Sequence, residues 1–313
     1  MKRPIISLSA DVCLTDDYSA SRADLLMQAD AAGVDLLLIG DHRPSLDSLI
    51  VAGWLAPRIR HAGLIATLQA LYVQPFHVAR ALSALDFLTH GRSGWLPSTQ
   101  GHAEQAERFS STLRVAAADV VAKAADCVAA TRALWDSWDS DAVLIDKSGG
   151  QYLRSNSVRR VNYRGAYFSV KGPLCAARPP QGNPLLVQRS SDALSSSIAA
   201  DVDVLLLSGT PLSSVRTASV FTPRTRVLAV VPVTDPASDS EIARWLAAPG
   251  IDGVHVVAQN AAAFARFVVT TLPALVRRVG GSPANGETLR ERFGLLTPDN
   301  PFQRNPTHGA TTA

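Results

Sequence analysis

Cysteine is nearly absent from the 313-residue chain, which holds only Cys13, Cys127 and Cys175. An odd number without metal-ligand spacing excludes a disulfide framework. It reads as buried thiols in a reducing compartment, and a cytoplasmic location is expected. Charge is sparse as well: 18% of residues are charged, and 30 basic against 27 acidic side chains leave +3. So small an excess makes no basic stripe, and nucleic acid is not an expected partner. Long apolar runs are missing. Val34–Ile39 and Val227–Val231 fall far short of the roughly 18 residues that a membrane span requires. Met1-Lys2-Arg3-Pro4 imitates the charged start of a signal peptide, but Asp11 interrupts the stretch that follows and no small-residue cleavage site appears. No G-x-G-x-x-G follows the first apolar run, and neither G-x-x-x-x-G-K-[ST] nor G-x-S-x-G occurs. Nucleotide-phosphate loops and a hydrolase elbow lose support accordingly. Internal repeats and low-complexity blocks are also lacking.

What is present is apolar sequence in short, regular pieces. A hydrophobic content of 47% suffices for a large core and excludes disorder. Strand-length runs occur at Pro4–Ala10, Val34–Gly40, Ala62–Ala70, Arg92–Leu96, Pro184–Gln188, Val202–Leu207, Arg226–Val233 and Ile251–Val257. Helix-period segments separate them, at about Ser19–Ala32, Leu46–Ile59, Pro75–Leu88, Val115–Trp138, Asp192–Ala200, Ser238–Ala248 and Ala261–Val279. Continuous apolar strands mean burial on both faces, as in a parallel sheet. Eight of them alternating with helices predict an α/β fold, a (β/α)8 TIM barrel; a doubly wound open sheet is the competitor. Residues 139–183 break the rhythm between the fourth helix and the fifth strand. Tyr163–Val170 there reads as a hairpin, and such a long insertion is usually a lid or an interface. One barrel domain is expected over residues 1–296, with a tail at 297–313 lying on the surface or disordered.

In such a barrel, chemistry sits at the C-terminal strand ends. Those ends carry Ser9 and Asp11, Asp41 and His42, Gln69, Ser98 and Thr99, Arg189 to Ser191, Ser208, Thr234 and Asp235, and Gln259. A solvated rim would carry polar residues too. Asp41-His42 could form an acid/base pair, or cap a turn and face solvent. His77, early in a helix, suits a bond to a strand-end carbonyl better than a ligand role. Glu104 and Glu107 follow His102, but no second ligand has sensible spacing for zinc, so no metal is expected. Trp135 and Trp138 read as packing against the insertion.

Several blocks nevertheless point one way: Gly63–Thr67, Tyr72–Arg80, Leu85–Trp95, Leu134-Trp135-Asp136-Ser137-Trp138, Arg164–Leu174, Pro180-Gln181-Gly182 and Thr288–Leu295. Together they resemble the bacterial luciferase-like flavin monooxygenases, in the branch of the nitrilotriacetate, EDTA and dibenzothiophene-sulfone enzymes. The resemblance implies a TIM barrel, dimers or tetramers, and a two-component monooxygenase. Reduced FMN would come from a separate NAD(P)H-dependent flavin reductase, and a small organic substrate would be oxidised with O2. It also implies cofactor contacts from Asp41 after the second strand, Thr67 in the third, and Ser191 in a phosphate-binding turn after the fifth. Gln69, Ser98, Thr99, Arg189 and Ser190 complete the candidate cofactor residues. No catalytic residue is singled out.

Departures gather in the same places. Leu96 stands where the family has a cofactor-binding asparagine, Gln69-Ala70-Leu71 where it has Ser-Thr-Thr, and Val120-Val121 where it has Arg-Tyr. Asp192 enters the phosphate turn, where a carboxylate would repel a phosphate unless it points away. Arg189 could compensate in part. The pattern leaves an alternative, a flavin-free relative acting as an interaction or regulatory subunit beside an active paralogue. A third possibility is another phosphate-bearing cofactor, such as a deazaflavin.

Overall fold

The computed structural model describes residues 3–14, 20–40, 46–100, 115–209, 222, 224–234, 238–280 and 286–304. Eight parallel strands close into a barrel: β1 (Ile5–Ser9), β2 (Leu36–Ile39), β3 (Gly63–Gln69), β4 (Ser93–Ser98), β9 (Leu185–Arg189), β10 (Val204–Leu207), β11 (Arg226–Val233) and β12 (Gly253–Ala258). β12 returns to pair with β1, with Ile5 opposite Gly253 and Leu8 opposite Val256. The barrel stands and the open sheet is excluded. Alternation along each strand explains the continuous apolar runs. Ile6, Leu8, Leu37 and Leu64 pack outward with the helices, whereas Ile5, Leu36, Leu38, Ile65, Leu96, Val187 and Leu206 fill the interior. Among the described residues no helix is long and apolar enough to cross a membrane.

The helix Pro75–Leu88 shows how sequence sets an element. Proline occupies its first turn, where a missing N–H costs nothing. Pro75, Val78, Ala79, Leu82, Leu85 and Asp86 form its buried face at helical spacing. Asp86 is a carboxylate on that apolar face, and its partners explain it. It accepts from Ser93 Oγ at 2.8 Å, Gln181 N at 3.0 Å and Gln181 Nε2 at 2.6 Å. Helix, β4 and the approach to β9 are thereby tied together, although burial still raises the Asp86 pKa.

Other helices depart from expectation at their ends. Val115–Trp138 shortens to Val120–Trp135 behind a 3-10 turn. The segment expected as one helix over 192–200 breaks into Leu194–Ser197 and a 3-10 turn at Ala199–Asp201. Ser196 Oγ bonds Ala193 O there, the serine competition with the backbone that shortens helices. Ala261–Arg278 runs through a π-helical turn at Phe267–Thr271.

The insertion holds two small antiparallel pairs, β5 (Val143–Asp146) with β6 (Gln151–Leu153) and β7 (Tyr163–Arg164) with β8 (Ser169–Val170). The hairpin at 163–170 is as predicted. Trp138 Nε1 donates to Leu174 O at 2.8 Å, packing against the insertion, while Trp135 turns inward and meets Trp95 edge-on at 6.0 Å. Cys13 and Cys127 are buried, and burial pushes the Cys127 thiol up to about 12. Cys175 is exposed, against the expectation of three buried thiols.

The N-terminal end of the barrel is sealed. Leu289, Phe293 and Leu295 join the interior cluster, and buried Arg290 binds Asp203 through both terminal nitrogens, at 3.0 and 2.6 Å. The start of the expected tail is held too, since buried Asn300 donates to Trp138 O at 3.1 Å. The sealing helix Leu289–Phe293 opens with a capping box between Thr288 and Glu291. Thr288→Ala should cost about 1 kcal/mol, a fall of about 2 °C in a thermal melt. An unchanged melting temperature would show that tertiary contacts alone hold this helix.

Candidate functional site

With one end closed, the opposite rim is where side chains from several strands can meet a ligand. Asp41, His42, His102, Glu104, Glu107 and Asp235 lie outside the described residues. The rest can be placed. Thr67 is buried at the inner end of β3, and its hydroxyl has no hydrogen-bond partner among the described residues. Gln69, two residues further on the same face, donates through Nε2 to Gln100 O at 2.5 Å and leaves Oε1 without a partner. Orphaned polar atoms are costly in a finished core and are what a ligand site exposes. Leu96, by contrast, is wholly buried among interior aliphatic residues.

Across the barrel, Arg189 ends β9. No hydrogen bond to its guanidinium is found among the described residues, and burial pulls its pKa below the ordinary value while Asp11 and Asp192 oppose that. Asp11 accepts from Ser9 Oγ at 2.7 Å and from Gly40 N, joining the ends of β1 and β2. His255 lies inside the barrel, fully buried, with Nδ1 2.8 Å from Ser7 Oγ. Burial, reinforced by the charge of Arg189, lowers its pKa to about 4, so it is neutral at physiological pH. Sequence reasoning missed Ser7 and His255. The one available signal was an inward-parity histidine within the run Gly253–Ala258.

The turn after β9 is organised around Asp192. Asp192 is buried and faces β4, accepting from Thr99 Oγ1 at 2.8 Å, Thr99 N at 3.1 Å, Ser98 Oγ at 3.4 Å and Leu194 N at 3.0 Å. Ser98 and Thr99 therefore donate to a carboxylate of the chain itself. Ser190 Oγ accepts from Ser208 N at 3.1 Å, and Ser191 is exposed. His77 is exposed in edge contact with Phe76, and among the described residues no hydrogen bond from its ring to the strand-end carbonyl expected of it is found. A cavity of about 370 Å³ between Ser238–Leu246 and Ala261–Arg278 lies outside the barrel and shares none of these residues.

Comparison with known proteins bears on what this rim binds. The family model described as luciferase-like monooxygenase matches residues 15–220. The chain is 31% identical over 291 residues to one subunit of the pristinamycin IIA synthase of Streptomyces pristinaespiralis, covering 91% of this chain and 90% of that one. Another subunit of the same synthase is 30% identical over 116 residues, 37% of this chain and 23% of that one. Identity is 32% over 179 residues to N-acetyl-S-(2-succino)cysteine monooxygenase of Bacillus subtilis (strain 168), and 33% over 190 residues to nitrilotriacetate monooxygenase component A of Aminobacter aminovorans. Those two matches take in 57% and 61% of this chain but only 41% and 42% of the two relatives. In three dimensions the chain is similar to DmoA from Hyphomicrobium sulfonivorans, with a TM-score of 0.76 at 17% identity over 96% of this chain and 93% of that one.

Proposed function

Because the chain belongs to the luciferase-like monooxygenase family, we propose that it is the oxygenating component of a two-component system, taking reduced flavin from a separate NAD(P)H-dependent reductase and oxidising a small organic substrate with O2. The observation that carries this reading is the pair of orphaned polar atoms, Thr67 Oγ1 and Gln69 Oε1, in a barrel sealed at its other end. They suit the polar edge of a flavin ring. Arg189 supplies a cation across the opening, with Ser190 and Ser191 beside it, and Asp41 completes the proposed contacts.

When bound, reduced flavin supplies the two electrons with which O2 is split, one oxygen atom entering the substrate and the other leaving as water. The chain's own residues bind, orient and exclude water. Leu38, Leu96, Val187 and Leu206 are buried together inside the barrel and make its interior apolar. Neutral His255 keeps a second positive charge away from Arg189.

The test is an anaerobic titration with reduced FMN, followed by fluorescence, on the wild type and Thr67→Val. Saturable binding is expected, weakened about fivefold or more by the variant because a flavin contact is lost. Stability should stay within about 0.5 kcal/mol, because the lost hydroxyl has no hydrogen-bond partner among the described residues. No saturable binding of reduced flavin would overturn the reading.

One comparison favours a second reading. The relative that matches over nearly full length is one subunit of a synthase, and another subunit of that synthase is also similar. On that basis the chain would be the flavin-free member of a pair. Stoichiometric flavin in the purified protein would exclude it.

A further inference from the structure

An anion entering this rim would settle where several N–H and O–H donors converge, since each bond to a charged acceptor is stronger than a neutral one. The structure has such a place between β4 and the turn after β9. Ser98 Oγ, Thr99 N, Thr99 Oγ1 and Leu194 N all point at one spot, and the carboxylate of Asp192 occupies it. Asp192 is only 4% exposed, so this is a closed internal contact and not a surface side chain that swings aside. Its charge is not surplus to a waiting cation. Arg189 already lies in the field of two carboxylates, Asp11 and Asp192. An incoming phosphate dianion would find its donors used and the surrounding charge of its own sign.

We propose that Asp192 is a specificity-determining residue that stands in for a phosphate, so that the site takes a flavin by its ring and side chain and does not distinguish FMN from riboflavin. The inference rests on the flavin reading above. It extends that reading, because a rim built to hold phosphate would favour FMN strongly, whereas here the converging donors are taken by Asp192 and the charge of Arg189 is offset by Asp11 and Asp192. Asp192→Asn keeps an acceptor for Thr99 and Leu194 while removing the charge. Asp192→Ser removes the charge and also releases the donors.

The wild type, Asp192→Ser and Asp192→Asn are titrated anaerobically with reduced FMN and with reduced riboflavin, reading fluorescence, with far-UV circular dichroism to confirm folding. The wild type should bind the two flavins within about threefold of each other. Asp192→Ser should favour FMN by about tenfold or more, the scale of one or two charge-assisted bonds, and Asp192→Asn should shift the same way by less. A wild type that already prefers FMN tenfold, or folded variants that gain no preference, overturns the proposal. If Asp192→Ser does not fold, Asp192→Asn decides. A wild type that binds neither flavin removes the flavin reading and this proposal with it, whereas a wild type that binds both but favours FMN tenfold overturns this proposal alone and leaves the flavin reading. Failure of every protein to bind either flavin removes both.

Discussion

Gly253→Ala should be the most damaging single-methyl change in the barrel. A Cβ at this position would lie 1.9 Å from Ile5 O and 2.7 Å from Ile5 C and N. These are backbone atoms, which cannot rotate out of the way as a side-chain tip can. Gly253 stands opposite Ile5 where β12 closes onto β1, and opposite Leu228 on its other side. Relieving the clash means moving one strand, and a closed barrel has no free edge through which to move it. Packing at crystal density transmits the shift to Leu36 and Leu228 inside. The expected cost is above about 4 kcal/mol, a fall of about 8 °C or more in melting temperature, or loss of soluble protein. Gly53→Ala is the control. It lies in the helix Ser48–Leu55 with nothing within 4 Å of the place an added methyl would take, and should stabilise by about 0.5–1 kcal/mol. Urea melts of both variants decide the matter. A Gly253→Ala protein as stable as the wild type would mean that β1 and β12 do not meet as described.

The seam and the rest of the barrel were legible because burial on both faces writes each strand as an unbroken apolar run. Leu36–Ile39 and Val204–Leu207 contain no polar residue at all. The blocks that carried the family resemblance were legible for a different reason. Asp86, Ser93 and Gln181 form one hydrogen-bonded group, Trp135 Nε1 donates to Ala79 O, and Ser137 Oγ accepts from Leu174 N. Each is a side chain tied to partners in other elements, so its identity is constrained. They are scaffold motifs and show little of the rim.

The rim was harder to read because its meaning lies in pairings across long sequence separations. Asp192 looked like a carboxylate intruding on a phosphate turn. Its partner Thr99 lies 93 residues away, and only the β4–β9 adjacency makes the contact intelligible. His255 was hidden within an apolar strand, and only its inward parity distinguished it.

His255 also sets the expected acid behaviour. Its pKa in the folded chain is about 4, against an ordinary 6.5, because the ring is fully buried and Arg189 adds repulsion that Asp11 only partly offsets. Between those values the unfolded chain binds a proton that the folded chain refuses, so stability rises with pH across the window. The contribution is intact above about pH 6.5 and is lost as the pH falls toward 4. At about 1.36 kcal/mol per unit, acidification from pH 7.5 to 4.5 should remove about 2.5 kcal/mol through this residue alone. Carboxylates add slopes of their own, so the informative quantity is the difference between the wild type and His255→Asn. The variant should lose about 1–2 kcal/mol at pH 7.5 from the altered contact with Ser7, yet overtake the wild type, or at least draw level, near pH 4.5. Urea melts at both pH values measure this directly. Parallel acid slopes in the two proteins would mean that the folded barrel admits a proton to His255, and that the ring sits in a wetter interior than its burial implies.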